Sequence, residues 1–155
     1  MTTIKDLSNL NGRRVLITGA AGRLGQVMAD TLSELGASLV LVDLPASDIK
    51  NLSKKLVSRW GVKVETYYCD LEDNSQRSEL IESIKNDEHK LNILINNAGI
   101  LRDRTLYNME ESDWDAIMEV HLKGHYNCTR PLVRHIRDTN KMNCRIINMS
   151  SVSGL

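Results

Sequence analysis

Apolar residues along this chain arrive in two alternating rhythms. Arg14–Thr18 (RVLIT), Ser38–Val42 (SLVLV), Val62–Tyr68, Asn92–Asn96 (NILIN) and Arg145–Met149 (RIINM) are short and close to continuously apolar. Runs of this length, rich in β-branched residues and leucine, predict strands covered on both faces, as in a parallel sheet. Between them the spacing changes to three or four. Leu24, Val27, Met28, Leu32 and Leu35 form one helical stripe, with Gly36 placed as its C-terminal cap. Ile49, Leu52, Leu56 and Trp60 form a second, closed by Gly61; Leu80, Ile81 and Ile84 belong to a third, opened by Asp73 or Ser75. The longest stripe runs from Ser112 to Arg137 through Trp114, Ile117, Met118, His121, Leu122, Leu132 and Ile136. Pro131 is expected to interrupt or kink it. Strand–helix alternation requires right-handed crossovers, so the pattern predicts a single α/β domain over residues 1–155, a doubly wound parallel sheet with helices on both faces.

Composition then removes several classes of partner. A chain of 155 residues suits one domain, burying about 70% of its unfolded surface. Lys plus Arg and Asp plus Glu balance at 20 each, so no net field draws the chain to nucleic acid or to an anionic membrane. Cys69, Cys128 and Cys144 are scattered and contain no CxxC pair, which predicts buried thiols in a reducing compartment rather than a disulfide framework or zinc site. Met1–Leu10 has no apolar core of the signal-peptide kind, and no apolar run approaches the roughly 20 residues of a membrane span. The expectation is a cytoplasmic protein that acts on a small molecule.

The first strand runs directly into Thr18-Gly19-Ala20-Ala21-Gly22-Arg23-Leu24-Gly25, where a helix begins. Glycines there permit a tight turn and let the backbone approach a pyrophosphate, while the helix start offers free N–H groups and a partial positive charge. Asp43 ends the second strand, 18 residues after Gly25. A carboxylate in that place accepts both hydroxyls of an adenosine ribose and repels a 2′-phosphate, favouring NAD over NADP. Arg23 pulls the other way, since a basic residue in the turn attracts such a phosphate.

With Asn96-Asn97-Ala98-Gly99 after the fourth strand and Ser150-Ser151-Val152-Ser153-Gly154 after the fifth, the chain resembles the short-chain dehydrogenase/reductase family. The resemblance implies a Rossmann sheet of strand order 3-2-1-4-5, here lacking the last strands of the full fold. It implies cofactor contacts from Thr18, Gly19, Ala21, Gly22, Arg23, Leu24, Gly25, Asp43, Asn97, Ala98, Gly99 and Val120, and adenine contacts from Asp70 and Leu71. It also implies a Ser-Tyr-Lys centre aided by an Asn, in which Tyr is the general acid/base and Ser hydrogen-bonds the reacting carbonyl. Ser151 aligns with that Ser. The YxxxK segment would begin beyond Leu155, because Tyr67, Tyr68, Tyr107 and Tyr126 are followed four places later by Leu71, Glu72, Glu111 and Arg130.

Two departures matter. The family's short form reads TGxxxGxG, whereas here the sixth place is Arg23 and the middle glycine is Gly22. TGxxGxxG is commoner in the extended, sugar-nucleotide-modifying branch, but NNAG belongs to the short form. In Val120-His121-Leu122-Lys123-Gly124, His121 stands where the family's tetrad has Asn. Its two readings are a core histidine on the apolar stripe and a stand-in for that Asn, acting through a hydrogen bond from a locally distorted helix. His125 lies one turn on, but without a HExxH pattern or a third ligand no metal is expected. Gly99-Ile100-Leu101-Arg102-Asp103-Arg104 together with VHLKG resembles the 3-hydroxyacyl-CoA dehydrogenase modules of multifunctional β-oxidation enzymes and the 3-oxoacyl-carrier-protein reductases. Arg102 and Arg104 then read either as contacts to an acyl carrier's phosphates or as solvated loop residues. The function expected is NAD-dependent oxidation or reduction of an alcohol or ketone, in a full-length protein that assembles with copies of itself. The alternatives are a non-catalytic nucleotide-binding module and an extended-branch epimerase or dehydratase fragment.

Overall fold

A computed structural model describes residues 3–85, 91–138 and 143–151; Val152, Ser153 and Gly154 of the serine motif lie outside the described residues. The strands are β1 (Arg14–Thr18), β2 (Ser38–Asp43), β3 (Val64–Tyr68), β4 (Ile93–Asn96) and β5 (Arg145–Asn148). They form one parallel sheet in the order β3-β2-β1-β4-β5, with Leu16 opposite Val40 and Leu94, and Asn96 opposite Asn148. The strand bounds differ slightly from those read in the sequence. β2 takes in Asp43, because Tyr68 pairs with it and the Cys69 N–H donates to its carbonyl. β4 starts after Asn92, whose side chain instead accepts the Arg14 N–H at 2.9 Å.

Alternation along the strands builds two cores. Val15, Ile17, Leu39, Leu41 and Ile95 face α2 (Arg23–Glu34) and α3 (Ile49–Trp60), which bring Ala29 and Leu56. Leu16, Val40, Val42 and Leu94 face the other way, toward α4 (Asn74–Lys85) and α6 (His125–Asp138), which bring Leu80 and Leu132. The short α1 (Ile4–Ser8) precedes the sheet. Asp73 opens α4, its carboxylate accepting the N–H groups of Ser75 and Gln76. Gly61 closes α3 at φ 69°, a left-handed conformation that favours glycine. Among the described residues no helix is long and apolar enough to cross a membrane.

The long helical stretch departs from expectation in two ways. α6 runs through Pro131 without a break, and the irregularity lies upstream, where a π-helical stretch (Glu119–Gly124) joins α5 (Glu111–Met118) to α6. Proline forfeits one hydrogen bond of the helix; Pro131 lines an apolar cavity together with Leu80, Ile84 and Leu132. The apolar stripe also does not face inward throughout. Val120 and Leu132 are buried, whereas Trp114, Leu122 and Tyr126 are more than half exposed. The sheet is covered by one side of the helix only, and those three residues lie off it.

α2 and α3 are joined by an aromatic–acid clasp. The Trp60 indole N–H donates to Asp30 at 2.7 Å, and Arg59 pairs with the same carboxylate at 3.2 Å while stacking over the indole. Trp60 is half-buried and Arg59 is exposed, so the indole bond should dominate. Asp30→Ala leaves the indole N–H without its acceptor and is expected to cost about 1–2 kcal/mol in urea denaturation. Arg59→Ala should cost less than about 1 kcal/mol, being an exposed ion pair and cation–π contact. The reverse order would show that the ion pair joins the helices.

Candidate functional site

Strand order reverses at β1, so the connections leaving β1 and β4 diverge and open a crevice at their C-terminal ends. The floor of the crevice is a mutual stitch. The Thr18 hydroxyl accepts the N–H groups of Asn97 and Ala98, both at 3.0 Å, and the Asn97 amide donates to the carbonyls of Thr18 and Gly19, again at 3.0 Å. Gly19 has φ 64°, and a Cβ there would fall 2.8 Å from the Ala98 Cα. Only glycine serves both the turn and the close approach of the two segments. Gly25 is fixed by space instead: a Cβ would run into the Gly19 carbonyl and lie 2.7 Å from the Ala20 Cα. α2 therefore starts hard against the turn. Its N-cap is Gly22, with no side chain capping the first-turn N–H groups, which leaves them for an anion. Arg23 and Leu24 stand exposed on that first turn.

Beside the stitch is a cleft of about 210 Å³ lined by Gly19, Asp43, Asp70, Leu71, Ala98 and Val120, among others. The Asp43 carboxylate accepts the Ala21 N–H at 2.7 Å and the Leu44 N–H at 2.8 Å. A carboxylate has roughly four acceptor sites, so each oxygen keeps one for a further donor. Asp70 is held in a turn, accepting the Glu72 N–H on its side chain at 2.9 Å. Val120 enters from the π-helical stretch, where a Cβ added at Gly124 would lie 3.7 Å from the Leu71 side chain.

On the other side of Ala98 and Gly99 a wider cleft of about 890 Å³ takes in Gly99, His121, His125, Tyr126, Asn148 and Ser151. His121 is exposed to this cleft, which overturns the core-histidine reading. Its ring lies over Gly99, where a Cβ would come within 2.7 Å of Cε1, and its Nε2 sits 3.0 Å from the Ile100 nitrogen and 2.8 Å from the Ile100 carbonyl oxygen. One nitrogen cannot accept and donate at once. The Nδ1–H tautomer accepts the Ile100 N–H; the Nε2–H form donates to the carbonyl. Burial and the neighbouring His121 hold the His125 pKa below the ordinary histidine value, favouring its neutral form. Ser151, at the end of the described residues, is exposed at the cleft mouth with Ser150.

Some residues of the site carry less than the sequence suggested and others more. Arg102 and Arg104 both approach Asp113 at 3.7 Å and are solvated. Burial pushes the Cys69 thiol up to about 11 and the Cys128 thiol up to about 12, so neither is a nucleophile at neutral pH. Two polar clusters add to the sequence reading, the first within NNAG and the second outside any motif it singled out. Asn96, 1% exposed, donates to Thr129 at 3.0 Å and to Asn148 at 2.8 Å, joining β4, α6 and β5. Gln76 and Arg77 hold the Asp70–Leu71 turn. The signal for Arg77 was present, since it falls on the same helical stripe as Leu80, Ile81 and Ile84.

Residues 13–155 match the family described as short chain dehydrogenase. The chain is 35% identical over 146 residues to a 3-oxoacyl-[acyl-carrier-protein] reductase of Thermotoga maritima, covering 94% of this chain and 58% of that protein. It is 36% identical over 158 residues to a hydroxyacyl-CoA dehydrogenase of Mycobacterium tuberculosis, covering 96% and 50%. Among solved structures, a gluconate 5-dehydrogenase of Burkholderia cenocepacia in complex with NADP and tartrate superposes with a TM-score of 0.86 at 31% identity, covering 97% of this chain and 58% of that one. The chain thus spans about half the length of these relatives. A family match over nearly every residue, in agreement with the 3-2-1-4-5 sheet, means that this chain belongs to the short-chain dehydrogenase/reductase family.

Proposed function

We propose that this chain is the nucleotide-binding part of an NAD-dependent oxidoreductase acting between an alcohol and a ketone, of the 3-hydroxyacyl/3-oxoacyl thioester kind. The observation that carries the reading is the Asp43 carboxylate at the edge of the glycine turn, 2.7 Å from the Ala21 N–H and with acceptor capacity left on both oxygens. The residues fit a dinucleotide: the glycine turn leaves no Cβ in the way, the start of α2 has uncapped N–H groups, and the cleft beside Asp43 reaches Asp70 and Leu71. Thr18, Gly19, Ala21, Gly22, Arg23, Leu24, Gly25, Asn97, Ala98, Gly99 and Val120 complete the proposed set. A 2′-phosphate would set a second negative charge against Asp43, a repulsion of about 1–4 kcal/mol at contact distance. The thioester class follows the two curated relatives, whose names give an acyl-carrier-protein and a coenzyme A substrate.

The nicotinamide, when bound, gives or takes the hydride. Ser151 offers its hydroxyl to the carbonyl oxygen, stabilising charge that develops there. His121 fixes the backbone at Gly99–Ile100 between the two clefts, doing with an imidazole what the family does with Asn. No Tyr of this chain is followed by Lys four places on, so the residues here bind and orient and do not supply the proton donor. The exposed stripe of Trp114, Leu122 and Tyr126 supports self-association, and three free thiols agree with a reducing, cytoplasmic setting.

Two substitutions test this reading. Asp43→Ser is expected to shift the ratio of NAD to NADP dissociation constants toward NADP by about tenfold, read by equilibrium binding; an unchanged ratio would remove Asp43 from the ribose and return the preference to Arg23. In a protein extended through the Tyr–Lys pair, His121→Asn should keep substantial activity. His121→Leu should lose about tenfold or more in kcat with little change in melting temperature, since His121 is exposed. A lower melting temperature with kcat intact would restore a purely structural role.

A further inference from the structure

We infer that His121 is a proton-operated latch on the backbone segment between the two clefts. Neutral, it holds the Ile100 N–H; protonated, it releases that N–H and takes the Ile100 carbonyl instead. The inference deepens the proposed reading of the crevice as a dinucleotide site and rests on it for the effect on binding. The segment from Asn97 to Ile100 is held from two sides. Thr18 accepts the N–H groups of Asn97 and Ala98, and the Ile100 N–H meets His121 Nε2 at 3.0 Å. Between these anchors lies Gly99, free of the restriction a Cβ imposes and seated where the imidazole leaves no room for one. Gly99 lines both clefts, and Ile100 lines the narrower one.

A single nitrogen serves two groups of one residue. Nε2 lies 3.0 Å from the Ile100 nitrogen and 2.8 Å from its carbonyl oxygen, and one protonation state bonds only one of them. Among the described residues His121 is the acceptor the Ile100 N–H has, and a carbonyl tolerates being left unbonded more readily than an N–H does. The neutral ring therefore settles with its proton on Nδ1 and with Nε2 on the N–H. Protonation places an N–H at Nε2 as well, which repels the Ile100 N–H and turns to the carbonyl. The other titratable or charged side chains lining the wide cleft are His125, Tyr126, Arg130 and Arg134, all of α6, and the segment after β5 adds only the hydroxyls of Ser150 and Ser151. No carboxylate of that lining competes for the new proton. Burial and the charge of a protonated His121 disfavour the cation of His125, so the second histidine does not replace the first. On the π-helical stretch itself, Glu119 and Lys123 pair with each other at 2.6 Å. Across Gly99 the narrow cleft adds Asp43, Asp70, Glu72 and Arg102. Histidine changes charge between about pH 8 and pH 5: above that range the Ile100 N–H is held, and as pH falls through it the segment is freed to turn at Gly99. An Asn in this place carries donor and acceptor on separate atoms and does not titrate, so the proton sensitivity belongs to the histidine.

The test follows the Ile100 amide of the full chain by proton–nitrogen NMR from about pH 8 to about pH 5, for wild type, His121→Asn and His125→Asn, alongside the dissociation constant of NAD. In wild type the Ile100 resonance should move with the titration of the His121 ring. Its protection from hydrogen exchange, and the affinity for NAD, should each fall about tenfold toward the acid end, the loss of one well-placed hydrogen bond. His121→Asn should abolish both pH dependences, and His125→Asn should keep them. Because wild type alone reports the Ile100 titration, the latch stays testable if a variant does not fold. An Ile100 amide indifferent to the His121 titration would overturn the inference, and so would an NAD pH dependence that is the same in wild type and His121→Asn. Wild-type chain that binds no NAD at the alkaline end would instead overturn the nucleotide reading, while the Ile100 resonance would still decide whether the latch exists.

Discussion

The Thr18 hydroxyl accepts two successive backbone N–H groups, those of Asn97 and Ala98, from a segment almost eighty positions later in the chain. Thr18 is 1% exposed, and its loss would leave two partly buried donors without their acceptor, at up to about 1–3 kcal/mol apiece. Asn97 returns the bond to the carbonyls of Thr18 and Gly19. The effect is to hold the ends of β1 and β4 at one fixed separation, the distance at which Gly19 lies against Ala98 with no room for a Cβ. Both clefts are measured from that contact. Asp43 and Asp70 stand on one side of it, His121 and Ser151 on the other.

Polar groups in the rest of the site are arranged to keep backbone atoms still rather than to reach a ligand themselves. Gln76 and Arg77 immobilise the turn after β3, His121 immobilises Ile100, and Asn96 ties the ends of β4 and β5 to α6. Each acts across elements; Arg77 and Asn96 are buried behind the surface that faces the cleft, whereas His121 lines the wide cleft itself. Precision at the surface comes from these contacts, because a backbone group has no rotamer of its own to adjust.

What was legible in the sequence was local. Continuous apolar runs marked the strands because a parallel sheet buries both faces, and glycine and asparagine spacing marked the turn and the NNAG segment because each motif is contiguous. Asp43 was readable as the residue at the end of β2 for the same reason. His121 was not fully readable. Its place on an apolar stripe was visible, but whether the stripe faced the sheet depended on the π-helical stretch, and the bond to Ile100 joins residues 21 positions apart. Pro131 misled because its apolar surroundings are built from α4 and the sheet as well as α6, which no window of sequence around it contains. Arg77 was overlooked since a charge on an otherwise apolar stripe looks like an end of the helix until burial is known.

The strand order has a consequence for assembly of the fold. β1, β2 and β3 follow one another and pair in sequence, so that half of the sheet closes over single helical crossovers. β4 must find β1 from across the whole of the β2–α4 excursion, which costs more chain entropy before any contact rewards it. The crevice does not exist until that second docking has happened, because its floor is the junction of the two halves. A molecule bound there touches both and has no counterpart site in a half-docked chain. Saturating it should therefore draw the population toward the fully closed sheet by mass action, making occupancy of the crevice part of what keeps the two halves together.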